Sequence, residues 1–286
     1  MTRKVWLFLI LSFGLSTIFF STFNMFGPGW SFIALLLGMI MPALSVVIVS
    51  KVYKIPMKGK FYLKLRFNKF VVLGVLMPIM LVFYTLILNV LFTGAKFGIA
   101  QIYIDQLAET GVPESYYLPI IIGQTLIMGI LAGVTINAVF AFGEELGWRG
   151  FLQKEFEYMG PWKSSDIIGA IWGLWHAPLI VQGYNFPDHP YIGVLLMIIA
   201  TTFLGIIISY FTKRSGTIMT AAFFHGVFNA VASITIILTD GYVDIYHGPF
   251  GVTAIITYAS VAGLLFLFER RVVRKSNELS GGKPLY

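Results

Sequence analysis

Three short polar clusters carry the chemistry open to this chain: Glu144-Glu145-Leu146-Gly147-Trp148-Arg149, Trp175-His176-Ala177-Pro178 and His225-Gly226-Val227-Phe228-Asn229. Between them they offer carboxylates, imidazoles, an amide and a guanidinium. Each lies in or at the end of a strongly apolar segment. There an ionisable group costs about 2.5–3.5 kcal/mol at a bilayer centre on insertion scales, and so marks a candidate functional site. Glu145 and Arg149 are four apart and share one helix face in the favourable order of acid before base. Glu144 points about 100° away from that face. One carboxylate can therefore be held in an ion pair while its neighbour stays available for general-base work. His176 sits beside Pro178, which removes a backbone hydrogen bond and frees a carbonyl in the preceding turn. His225 and Asn229, again four apart, project from one face and could donate hydrogen bonds to a developing oxyanion.

Plain packing accounts stand beside these. Glu145 and Arg149 would make an ordinary helix-end salt bridge, and His176 a core histidine bonded to a backbone carbonyl. His225 and Asn229 would join helices, a contact worth about 0.6 kcal/mol on average in membranes.

The elements that must position these groups are helices in a membrane. The chain is 57% hydrophobic and 12% charged, with mean hydropathy +0.83, and its apolar runs approach the roughly twenty residues that span a hydrocarbon core. The expected fold is all-α, a polytopic bundle of about eight transmembrane helices at 4–26, 31–50, 70–93, 118–142, 165–184, 191–211, 217–239 and 249–268. An interfacial amphipathic helix follows the fourth span, where 144–158 mixes Phe151, Leu152, Phe156 and Tyr158 with Lys154, Glu155 and Glu157. The first span, opening on Thr2-Arg3-Lys4, reads as a retained helix, being too long for a signal peptide and lacking a small-residue cleavage site. A single membrane domain covers 1–275, its polar core lies within 118–240, and 276–286 reads as a disordered tail.

With the N-terminus inside, 19 of the 20 Lys and Arg fall in internal segments, as the positive-inside rule requires. Only Lys96 falls outside, near Asp105, Glu109 and Glu114. Both termini are thus expected to be cytoplasmic. The net charge of +7 is then explained by topology and contact with anionic lipid, without nucleic acid. The absence of cysteine excludes disulfides, thiolate metal sites and a cysteine nucleophile.

Taken together, the three clusters resemble the CAAX-protease and bacteriocin-processing family of integral membrane proteases, which includes the Ras-converting CAAX prenyl endopeptidases. The family motif Glu-Glu-x-x-x-Arg is matched by Glu144, Glu145 and Arg149, Phe-x-x-x-His at His176, and His-x-x-x-Asn/Asp by His225 and Asn229. The resemblance implies that Glu144 and His176 activate a water, that His225 and Asn229 bind the oxyanion, and that Glu145 and Arg149 support them. It implies a peptide or lipidated protein substrate in contact with membrane lipid. One departure is Trp172, where the family has Phe, expected to alter pocket shape more than chemistry. The Glu-Glu-Leu-Gly-Trp-Arg and Trp-His-Ala-Pro wording is closer to prokaryotic branches, which implies a prokaryotic cell membrane.

His-Glu-x-x-His is absent, and a glutamate-dependent hydrolysis needs only the four polar side chains, although two histidines and a glutamate could form a zinc site with water in the open position. Zinc, if used, would fall to Glu144, His176 and His225. The competing classes are a non-enzymatic transporter or scaffold, and a bacteriocin maturation or immunity factor. No internal pseudo-symmetry of the transporter kind is visible. The inside placement of Glu144 leads to the further expectation that Glu144, His176, His225 and Asn229 line one cavity open towards the cytoplasm.

Overall fold

A computed structural model describes residues 1–279. The long helices are α1 (Arg3–Phe20), α2 (Pro28–Val52), α3 (Lys69–Thr93), the short α4 (Gln101–Ala108), α5 (Tyr117–Val134), α6 (Ile136–Glu145), α7 (Pro161–Trp175), α8 (Pro190–Ser215), α9 (Met219–Val231) and α10 (Val252–Leu279). Their ends follow from local chemistry. Proline opens α2, α7 and α8, where its missing N–H is no loss. Asn68 caps α3 by accepting from the Phe70 N–H at 3.0 Å. Gly94 and Gly216 take the left-handed conformation after α3 and α8, at φ 74° and 71°. A two-stranded antiparallel ribbon pairs Lys96–Phe97 with Thr239–Asp240.

Among the described residues, seven helices are long and apolar enough to cross a membrane, and the protein is an integral membrane protein of all-α architecture. The fifth expected span, 165–184, is present as α7 and the short turn Ala177–Ile180. Each piece falls below spanning length because Pro178 interrupts the helix. The expected fourth span is likewise divided, at Thr135, where φ −115° and ψ −96° break the path from α5 to α6. At the other end of the chain α10 runs to Leu279, four residues into the expected tail. The rest of that tail, 280–286, lies outside the described residues.

The bundle has two distinct ends. At one, Lys4 pairs with Glu155 at 2.7 Å and Arg214 with Glu269 at 3.2 Å. There too the Ile218 N–H donates to the Tyr62 carbonyl and Asn68 Nδ2 to the Ser215 carbonyl. This basic end also carries the Lys-rich 53–68 loop. At the far end Asn24 Nδ2 donates to the Gln182 carbonyl and Gln182 Nε2 to the Phe20 carbonyl. Asp244 accepts from His189 Nδ1 and from the Asp188 and His189 N–H groups, which ties 181–189 to 241–251.

Close backbone approach brings the clusters together, as is usual where membrane helices meet on small residues. A Cβ on Gly226 of α9 would lie 2.2 Å from the Gly133 carbonyl, and one on Gly173 of α7 would lie 2.5 Å from the Ile198 Cα of α8. Gly226→Ala is therefore expected to lower the melting temperature, with a cost of at least about 1–3 kcal/mol. A Cβ at Gly263 meets nothing within 4 Å, so Gly263→Ala should melt like wild type. Equal melting of the two variants would show that α9 has room to retreat.

Candidate active site

The segment after α6 departs from the expected interfacial helix. Leu146–Leu152 forms a seven-residue π-helix in which every residue is buried. A segment apolar on nearly every side has no wet face to offer, so it enters the bundle, and only the short turns over 153–159 approach the surface. Trp148, Phe8, Phe151 and Phe61 stack there, with ring centroids 5.8, 4.9 and 5.9 Å apart along the series.

Burying Arg149 in that turn requires a partner. Its Nη1 donates to both oxygens of Glu145, at 3.0 and 3.1 Å, and both side chains are fully buried. The guanidinium also lies over the Trp172 ring, 4.5 Å from its centroid, in a cation–π contact. Glu145 Oε1 further accepts from His225 Nδ1 at 2.9 Å. A nitrogen facing a carboxylate carries the proton, so the tautomer is fixed and Nε2 is left for other partners. Glu145 thus anchors two of the three clusters at once.

His176 is oriented by the break that Pro178 causes. Its backbone N–H turns to the Gly173 carbonyl, at 3.1 Å, so the Trp172 carbonyl loses its usual partner four residues on. His176 Nδ1 fills that vacancy by donating to Trp172 O at 2.9 Å. A neutral imidazole that donates at Nδ1 presents an acceptor lone pair at Nε2. The packing account of His176, a bond to a backbone carbonyl, is therefore present in the structure and also fixes the reactive nitrogen.

Glu144 is 2% exposed. Its Oε2 accepts from the Trp172 indole N–H at 2.8 Å, and among the described residues no protein donor reaches Oε1. Trp172 therefore does more than shape the pocket. A phenylalanine at this position has no N–H to give. Its edge also approaches both imidazoles, at centroid distances of 5.7 Å to His176 and 5.3 Å to His225.

Glu144, His176, His225 and Asn229 all line one cavity of about 290 Å³, while Glu145 and Arg149 stand behind it. Sequence reasoning did not single out Tyr184, Asn185 and Ser233, which also line it. Asn185 adopts φ 63°, a left-handed conformation that suits asparagine. The only advance signal was the Gly183-Tyr184-Asn185 turn composition. The cavity reaches towards the far end, where its walls include Tyr184, Asn185, Pro249 and Phe250, from the two segments joined there. The buried π-helix that follows Glu144 continues towards the basic end.

Among the described residues, no three His, Asp or Glu side chains gather as a metal ion requires. The suggested zinc set of Glu144, His176 and His225 therefore does not fit.

The class so defined is a polytopic membrane protein with a carboxylate, two histidines and an asparagine around a buried cavity. Residues 127–231 match the family described as type II CAAX prenyl endopeptidase Rce1-like. All six motif residues fall inside that stretch. The match makes this central stretch, which holds all three polar clusters, similar to that family. No curated protein matches the chain.

Proposed function

We propose that the protein is an intramembrane endopeptidase in which Glu144 and His176 activate a water, while His225 and Asn229 hold the oxyanion. The observation that carries this reading is the convergence of these four side chains, from three helical segments, on one cavity. A water between Glu144 Oε1 and His176 Nε2 attacks the scissile carbonyl carbon and gives a proton to Glu144. The carbonyl π electrons move to oxygen, where His225 Nε2–H and Asn229 Nδ2–H donate to the anion. Collapse restores the carbonyl, breaks the C–N bond, and the amine leaves with the proton from Glu144.

His225 donates at both nitrogens only as an imidazolium. The site tolerates that charge, since Glu144 and Glu145 balance Arg149 and His225. Both termini are assigned to the cytoplasmic side because the basic end carries nearly all Lys and Arg, and the wording of the Glu-Glu-Leu-Gly-Trp-Arg and Trp-His-Ala-Pro clusters supports a prokaryotic cell membrane. The substrate is a membrane-associated peptide or lipidated protein segment. Incubating purified protein with prenylated and unprenylated C-terminal peptides tests this reading. Cleavage by wild type and none by Glu144→Ala is expected, and equal cleavage by both overturns it.

Trp172 is a positioning residue for this reaction, since its N–H fixes one Glu144 oxygen and its carbonyl fixes His176. Trp172→Phe should lower kcat about tenfold, within the worth of a hydrogen bond to a charged group, with KM changed less than about twofold. Trp172→Gln, which restores an N–H donor, should recover part of kcat. Equal kcat for the Phe and Gln variants would remove the indole N–H from the account.

A further inference from the structure

The cavity has a sealed side and an open side, and the chain's charges say which compartment each faces. On the basic side the route is closed by Trp148, Phe151 and Phe8, all fully buried, within the aromatic stack that continues to Phe61. Trp148 also packs on Trp175, and Trp175 on Phe20, at 5.8 and 4.7 Å, so the stack leads from the seal to the cavity wall. On the far side the walls end in Tyr184, Asn185, Pro249 and Phe250. The loops bearing them are clamped by Asp244 on one flank and Gln182 on the other. Those contacts position the mouth without filling it.

We infer that the candidate active site is reached from the non-cytoplasmic half of the membrane, and that its substrate is a neutral or basic peptide segment presented from that side. This rests on the proteolytic reading above and on the cytoplasmic assignment of the basic end. The charge on the open side points the same way. Asp105, Glu109, Glu114, Asp188, Asp240 and Asp244 belong to far-end segments, against Lys96 alone. An acidic far face of this kind raises the local concentration of a cationic segment and repels an anionic one. Among the described residues, no Lys or Arg lines the cavity. A soluble cytoplasmic protein with a prenylated C-terminus would meet the sealed face.

Because the chain has no cysteine, single thiols can report sidedness without background and without any need for turnover. Asp188→Cys at the far-end loop, Asn229→Cys in the cavity and Lys58→Cys in the basic loop would be expressed in intact bacterial cells. Each would be treated with a small, charged, membrane-impermeant methanethiosulfonate. Modification of Asp188→Cys and Asn229→Cys in intact cells, and of Lys58→Cys only after permeabilisation, is the expected result. Modification of Lys58→Cys in intact cells would invert the topology and overturn the inference. So would an Asn229→Cys thiol that reacts only after permeabilisation, or only after denaturation, while Asp188→Cys reacts from outside. If the labelling is as expected but Glu144→Ala still cleaves peptides, the proteolytic assignment fails and the sidedness stands.

Discussion

Replacing Glu144 with Gln should reduce kcat by about 10²–10⁴-fold, the range general-base catalysis contributes, with a far smaller effect on thermal stability. The substituted amide keeps the shape of the carboxylate, and its carbonyl oxygen can still accept from the Trp172 N–H that lies 2.8 Å from Oε2. What it loses is the ability to take a proton from water. Turnover of a cleaved peptide and melting of the detergent-solubilised variant separate the two effects. Unchanged turnover would remove Glu144 from the chemistry, whereas a collapse in melting temperature would recast it as a structural residue. The same substitution at Glu145 should behave in the opposite sense, because that carboxylate anchors Arg149 and His225 and does not line the cavity.

The largest stability effect is expected from Arg149→Met. Removing one member of a buried ion pair leaves an uncompensated charge and costs about 3–5 kcal/mol, on the order of a 10 °C fall in melting temperature for a chain of this size. Glu145 would then keep only His225 as its partner, in a pocket where both acid and base are fully enclosed. The double variant Glu145→Gln/Arg149→Met should recover part of the loss, since two neutral side chains need no compensation. A single variant that melts within about 2 °C of wild type would mean that the guanidinium is hydrated in place and that the pair matters little.

Much of this arrangement is legible in sequence, for reasons that can be stated residue by residue. Glu145 and Arg149 pair as their spacing requires, because i, i+4 neighbours remain adjacent even where the turn widens to π geometry. The number of membrane crossings follows from apolar runs and the distribution of Lys and Arg. The bond between His225 and Glu145 joins residues 80 apart and depends on the depth at which α9 meets α6, which Gly226 and Gly133 set by their lack of a side chain. Periodicity carries no information on that depth. The hydrogen bond from Trp172 is hidden for a similar reason: an indole reads as one more aromatic until its N–H is seen facing a carboxylate. The buried π-helix is hidden for a local reason. Lys154, Glu155 and Glu157 read as surface charges that pull the whole of 144–158 into the interface, while the apolar run before them is the stronger influence.

The π-helix over Leu146–Leu152 also makes the site sensitive to chain length in a way that substitutions do not reveal. A π turn holds one more residue than the α-helical turn that could replace it. Deleting a single residue between Arg149 and Lys154 would let the segment rewind as α-helix and alter the phase between α6 and everything after it. Glu144 and Glu145 would keep their identities but turn together by about 100° relative to α7 and α9. The chemistry is therefore encoded partly as a count of residues, and an alignment gap here would matter more than a mismatch.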